Sequence, residues 1–173
     1  MKKLINLCLC TGMFLFLQAC EKQEVTSAIS HNDDLSMASP DKPQNFVSLL
    51  SGNNEVPPVN SKATGQVKLK VSKDGMEIHY KLIVANIDNV RFSHIHNAPV
   101  GVIGQIVAFL YPGPTLASFN GVLAEGVITK DDLIGPMAGQ EISDLVAAIK
   151  ARNTYVNVHT DAFPPGEIRG QIK

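Results

Sequence analysis

Gly65-Gln66-Val67-Lys68-Leu69-Lys70-Val71, then Lys73-Asp74-Gly75, then Met76-Glu77-Ile78-His79-Tyr80-Lys81-Leu82-Ile83-Val84 is the stretch that decides the fold. Apolar and polar residues alternate on both sides of an Asp-Gly turn signal. Period-two alternation places Val67, Leu69 and Val71 on one face of a strand and the lysines on the other. Asp-Gly suits the positive φ of a tight hairpin turn, so the two runs pair antiparallel. The return strand puts Met76, Ile78, Tyr80, Leu82 and Val84 inward. Glu77, His79 and Lys81 face outward, which removes His79 from any candidate site.

Working outward, Phe46 to Leu50 reads as a strand. The loop Ser51 to Val59 follows, because Pro57-Pro58 cannot sit in a central strand. Val90 to His96 is the next strand. Ile106 to Leu110 is short and continuously apolar, the pattern of a strand covered on both faces. Ser118 to Ile128 holds one or two strands with bends at Gly121 and Gly126. Thr129 to Leu133 has the composition of a single helical turn. One short helix is expected near 143–152, with Ser143-Asp144 as the cap. Tyr155 to His159 and Glu167 to Ile172 are the closing strands. Many short strands with regular turn signals predict an all-β, antiparallel sandwich or barrel.

The first residues read differently. Lys2-Lys3 precedes an apolar run from Leu4 to Leu17, shorter than the ~20 residues of a membrane span. That is the layout of a secretory signal. Leu17-Gln18-Ala19-Cys20 resembles the bacterial lipoprotein signal, in which the cysteine becomes the lipidated first mature residue. The expected divisions are a signal peptide over 1–19, a tether over 20–45 and a folded domain over 46–173. The tether is polar, contains His31 and offers no periodic apolar face to bury. Its r.m.s. reach would be ~25–30 Å. The resemblance implies a lipid-anchored protein of the bacterial cell envelope, and Glu21 after the cysteine favours the outer membrane.

The chain has three cysteines, Cys8, Cys10 and Cys20, and none in the folded part. Disulfides and thiolate chemistry are therefore excluded there. The net charge of −1 and the lack of a basic stripe argue against nucleic acid as a partner. The expected partners are the membrane, through the anchor, and an unidentified protein or small ligand.

Three histidines carry the site expectation. His94 and His96 lie two apart on one strand, ~6.5 Å between Cα atoms and on one face. His159, with Tyr155 and Asn157, lies on the face opposite Val156 and Val158. All three imidazoles can thus share an outer face walled by the loops at 97–105 and 160–166. Neutral imidazoles suit zinc or copper. Asp161 and Glu167 are the acceptors expected to orient the rings. In the alternative reading the histidines hold those loops by hydrogen bonds to backbone, and Glu167 and Arg169 form a surface ion pair.

Leu50-Ser51-Gly52 with Glu55-Val56-Pro57-Pro58-Val59, His94-Ile95-His96-Asn97-Ala98-Pro99, and Tyr155 to Thr160 through Phe163 to Gln171 together resemble the chordin-type (CHRD) domain. The motifs occur in order and span nearly all of 46–173. Asn97 stands where glycine often follows the His-x-His. The resemblance implies a β-sandwich, immunoglobulin-like or Cu,Zn superoxide dismutase-like. The His-x-His strand and the later Val-His strand also resemble part of the dismutase copper site. The bridging histidine, second-metal cluster and disulfide of that family are missing, and no Ser-His-Asp or Cys-His arrangement stands out. The sequence reading is a non-catalytic binding or interaction module. Its rival is a copper or zinc protein built on His94, His96 and His159, redox-active if the ion is copper.

Overall fold

A computed structural model describes residues 44–113 and 117–173. The signal peptide, Cys20, His31 and nearly all of the tether lie outside the described residues.

The described chain is all-β and antiparallel, with one short helix. Its strands are β1 (Asn45–Ser51), β2 (Thr64–Val71), β3 (Ile78–Ile87), β4 (Val90–Asn97), β5 (Gln105–Tyr111), β6 (Phe119–Ile128), β7 (Thr154–Thr160) and β8 (Ile168–Gln171). The helix α1 covers Ile142–Lys150. All eight strands belong to one sheet in the order β5-β4-β7-β8-β1-β2-β3-β6. The sheet is nearly closed: its end strands β5 and β6 approach each other. Tyr80 Oη of β3 donates to the Leu110 carbonyl of β5 at 2.9 Å. One core, drawn from every strand and from α1, fills the interior.

The hairpin of β2 and β3 forms as alternation requires. Val67, Leu69, Val71, Ile78, Leu82 and Val84 are buried, and Gly75 takes φ +75° in the turn. His79 points outward beside Glu77. Met76 departs from the expectation. It belongs to the turn rather than the strand and is 69% exposed. β5 departs too, because one of its faces is not fully covered: Phe109 is left exposed on it. The run from Ser118 forms a single strand, β6, whose register shifts between Leu82/Ile83 and Val84/Ile87 of its partner absorb the bends.

α1 buries Ile142, Leu145, Val146 and Ile149 along one stripe. It starts two residues before Asp144, with Glu141 at the cap, and the Asp144 carboxylate accepts the Glu141 N–H at 2.9 Å. Asp144 thus closes a capping box from the third helical position instead of leading the helix. Among the described residues no helix is long and apolar enough to cross a membrane.

β8 completes the sheet by joining β7 to β1. Tyr155, Val156, Asn157 and Val158 face Gln171, Gly170, Arg169 and Ile168. On the other side Ser51 faces Arg169, and Val47 and Lys173 exchange backbone hydrogen bonds of 2.8 and 3.0 Å. This junction brings β1, β8, β7 and β4 side by side, and the functional residues lie across it.

Candidate metal centre

β4 and β7 pair so that Phe92 faces His159, His94 faces Asn157 and His96 faces Tyr155. Val156 and Val158 on the alternate positions are fully buried in the core. The histidines therefore stand on the outer face, as parity requires. That face is roofed by loops. Tyr155, Asn157, His94 and His96 are all at least nine-tenths buried, and His159 is partly exposed.

Each histidine has a defined partner set. His96 Nδ1 lies 3.0 Å from the Gly104 carbonyl, and His159 Nδ1 lies 2.8 Å from the Pro164 carbonyl. A carbonyl only accepts, so both Nδ1 atoms carry the proton. Both Nε2 atoms are then bare lone pairs. They converge on Asn157 Oδ1, at 2.9 Å from His96 and 3.0 Å from His159. His94 Nδ1 lies 3.2 Å from His159 Nε2 and can donate to it. One ligand nitrogen from each ring lies within 4.8 Å of the others.

The rings are packed as well as bonded. Phe109 meets His94 edge-on at 4.6 Å between centroids. Tyr155 stacks on His96 at 4.6 Å, almost parallel. Arg169 lies over the other face of this platform, its Cζ 3.4 Å from the Tyr155 centroid, and donates to the Val102 carbonyl at 2.8 Å. Burial holds all three imidazole pKa values below the usual 6.5, with His94 down to about 3, where His159 and His96 add to the effect. The rings are neutral at pH 7, the form that ligates a metal.

Two residues expected to orient the rings are engaged elsewhere. Asp161 faces Arg91 at 3.4 Å on the surface. Glu167 accepts Ser61 Oγ at 2.6 Å and Thr160 Oγ1 at 2.7 Å. Glu167 and Arg169 are both buried, so they are not a surface ion pair. The orienting acceptors are the backbone carbonyls of Gly104 and Pro164. These are the loop contacts of the alternative reading, and they leave the other ring nitrogens free to face inward.

Sequence reasoning did not single out Asn157 or Glu55. Asn157 shares its face with His159 by parity, and that signal was available. Glu55 entered only as part of the Glu55-to-Val59 motif, with no pattern to mark it as buried: it sits in the loop after β1, in a proline-rich segment, yet is buried. Its Oε1 has no hydrogen-bond partner among the described residues. Burial pushes its carboxyl up to about 7, against the lowering pull of Arg169 and the Val56 N–H.

The motif positions His94-x-His96 and His159 to Arg169 thus form one built site, and a family model matches across them. The CHRD domain model covers residues 46–172. The chain belongs to the CHRD family. The match takes in every strand from Phe46 onward, so the imidazole cluster of this CHRD domain lies wholly inside it. No curated protein matches the chain.

Proposed function

We propose that this CHRD domain is an extracytoplasmic binding module whose bound group is a zinc or copper ion held by His94, His96 and His159. The observation that carries the reading is the convergence of one nitrogen from each of three neutral imidazoles, with the far sides of His96 and His159 fastened to loop carbonyls. Two nitrogens bound to one tetrahedral zinc stand about 3.3 Å apart. The His94–His159 pair at 3.2 Å already has that spacing. The widest pair, 4.8 Å at most, would close by about 1.5 Å through ring rotation. The donor set is neutral nitrogen, which suits zinc and copper over magnesium or calcium. Copper would add one-electron chemistry. The leader and tether composition support export and attachment to the membrane through Cys20, with the domain held just clear of the surface.

The site also supports a purely structural reading, in which His94, His96, Asn157 and His159 form a closed polar network and His96 and His159 pin two loops. Metal analysis of protein purified from its native compartment separates the two. Stoichiometric zinc or copper, lost in the His94→Ala/His96→Ala/His159→Ala variant, is the expected result. Sub-stoichiometric metal, with the same uptake in the triple variant, would overturn the metal reading and leave the network as scaffolding.

A further inference from the structure

The amide of Asn157 is set among lone pairs in a way that hydrogen bonding alone does not explain. Its Oδ1 faces two Nε2 atoms at 2.9 and 3.0 Å. Both of those nitrogens are unprotonated when their Nδ1 atoms donate to Gly104 and Pro164. His159 Nε2 can take a hydrogen from His94 Nδ1, but Asn157 Oδ1 and His96 Nε2 are two acceptors that meet with no hydrogen between them, which is repulsive unless a cation lies between them. Turning the amide over would place Nδ2 there and remove the repulsion. The surroundings oppose that turn. Gly166, at φ +137°, has no side chain in the space that both Asn157 and Glu55 border. A Cβ on Gly166 would collide with Glu55 Oε1 and stand 3.0 Å from Asn157 Nδ2. The amide nitrogen thus faces the side of the site where the Glu55 carboxylate is buried. Inverting the amide would set its oxygen toward that carboxylate instead.

We infer that Asn157 Oδ1 is a fourth ligand of the ion, and that Glu55 is a positioning residue whose charge, without a direct hydrogen bond, favours the amide with its oxygen inward. The inference rests on the metal reading above. It changes the site from three histidines with an open position to a three-nitrogen, one-oxygen set closed by the protein. It also gives the orphaned Glu55 oxygen a role: a buried carboxylate behind neutral ligands offsets the charge of the cation, as outer partners of metal ligands commonly do.

The test uses the protein with zinc as probe, comparing Asn157→Ala, Asn157→Asp, Glu55→Ala and the double variant Glu55→Ala/Asn157→Asp. Thermal melts of the metal-free forms confirm folding. Asn157→Ala is expected to weaken zinc binding by about 10- to 100-fold. Asn157→Asp should bind within a few-fold of the parent or tighter, since a carboxylate presents oxygen in either orientation. Glu55→Ala should weaken binding about 10-fold alone and leave it unchanged in the Asn157→Asp background. Zinc should also displace the Asn157 side-chain amide resonance, identified by its loss in Asn157→Asp. That measurement on the parent protein decides the ligand even if Asn157→Ala does not fold. A parent that binds no zinc sinks the metal reading itself. A parent that binds zinc with its Asn157 amide resonance unmoved, or as tightly as Asn157→Ala, overturns the fourth ligand. Equal Glu55→Ala losses in both backgrounds overturn the positioning role.

Discussion

At the scale of single residues, Gly166 and Glu55 depend on each other. Gly166→Ala would force an L side chain into φ +137° and drive its Cβ into the Glu55 carboxylate. A loss of more than ~1 kcal/mol in urea unfolding is expected, with weaker metal retention. A variant as stable as the parent would show that the turn relaxes freely. Glu55 also gives a pH signature. Its carboxyl titrates at 4.5 in the unfolded chain and at about 7 in the folded protein. The folded state therefore binds the extra proton between those values. The stability it contributes is complete below pH 4.5 and is lost as pH rises through 7. In metal-free protein, Glu55→Gln should shrink the drop in unfolding midpoint between pH 5 and pH 8; an unchanged drop would show that Glu55 does not titrate in this way. Residue-level legibility divides along the same line. Alternation placed His94, His96 and His159 together because strand parity is local. The burial of Glu55 depends on a glycine turn far along the chain, so no local pattern announces it.

At the scale of elements, α1 separates capping from packing. Asp144→Ala removes only the acceptor for the Glu141 N–H and should cost about 1 kcal/mol. Leu145→Ala empties a fully buried position and should cost about 2–5 kcal/mol. Chemical denaturation ranks the two, and a reversed order would mean that the helix is held by its end rather than its face. The helix was legible because Leu145, Val146 and Ile149 repeat with helical spacing. Its first residue was not, because both Ser143-Asp144 and Glu141 with Asp144 make acceptable starts, and only the chain's path chooses between them. β5 shows the opposite failure. An apolar run such as Ile106 to Leu110 fits a strand covered on both faces, but Phe109 turns outward beside His94 at the end of the sheet. Its apolar character serves the ring cluster as well as the core.

At the scale of the whole molecule, stability rests on one core under one nearly closed sheet, without a covalent staple. All three cysteines precede the folded domain. Reducing agent should therefore leave the melting temperature of the domain unchanged, and a shift would reveal a role for the cysteines in its folding. Under the proposed anchoring, Cys20→Ser should move the protein from the membrane fraction to the soluble one, and continued retention would contradict the anchor. The all-β class and the antiparallel pairing were legible from alternation and turn chemistry. The strand order was not, because β8, only four residues long, links β7 to β1 through pairings that local sequence does not encode.

His96 has two ends, and they answer to different neighbours. One nitrogen faces the cluster; the other holds Gly104, at the end of the loop on which Val100 and Ile103 stand 74% and 72% exposed. His159 does the same for the turn at Pro164. Each ring is a lever with its fulcrum in the sheet, so any rotation that draws the inner nitrogens together pulls on both loops at once. A change in what the rings hold would therefore register at the surface of this domain as a change in the slack of two loops.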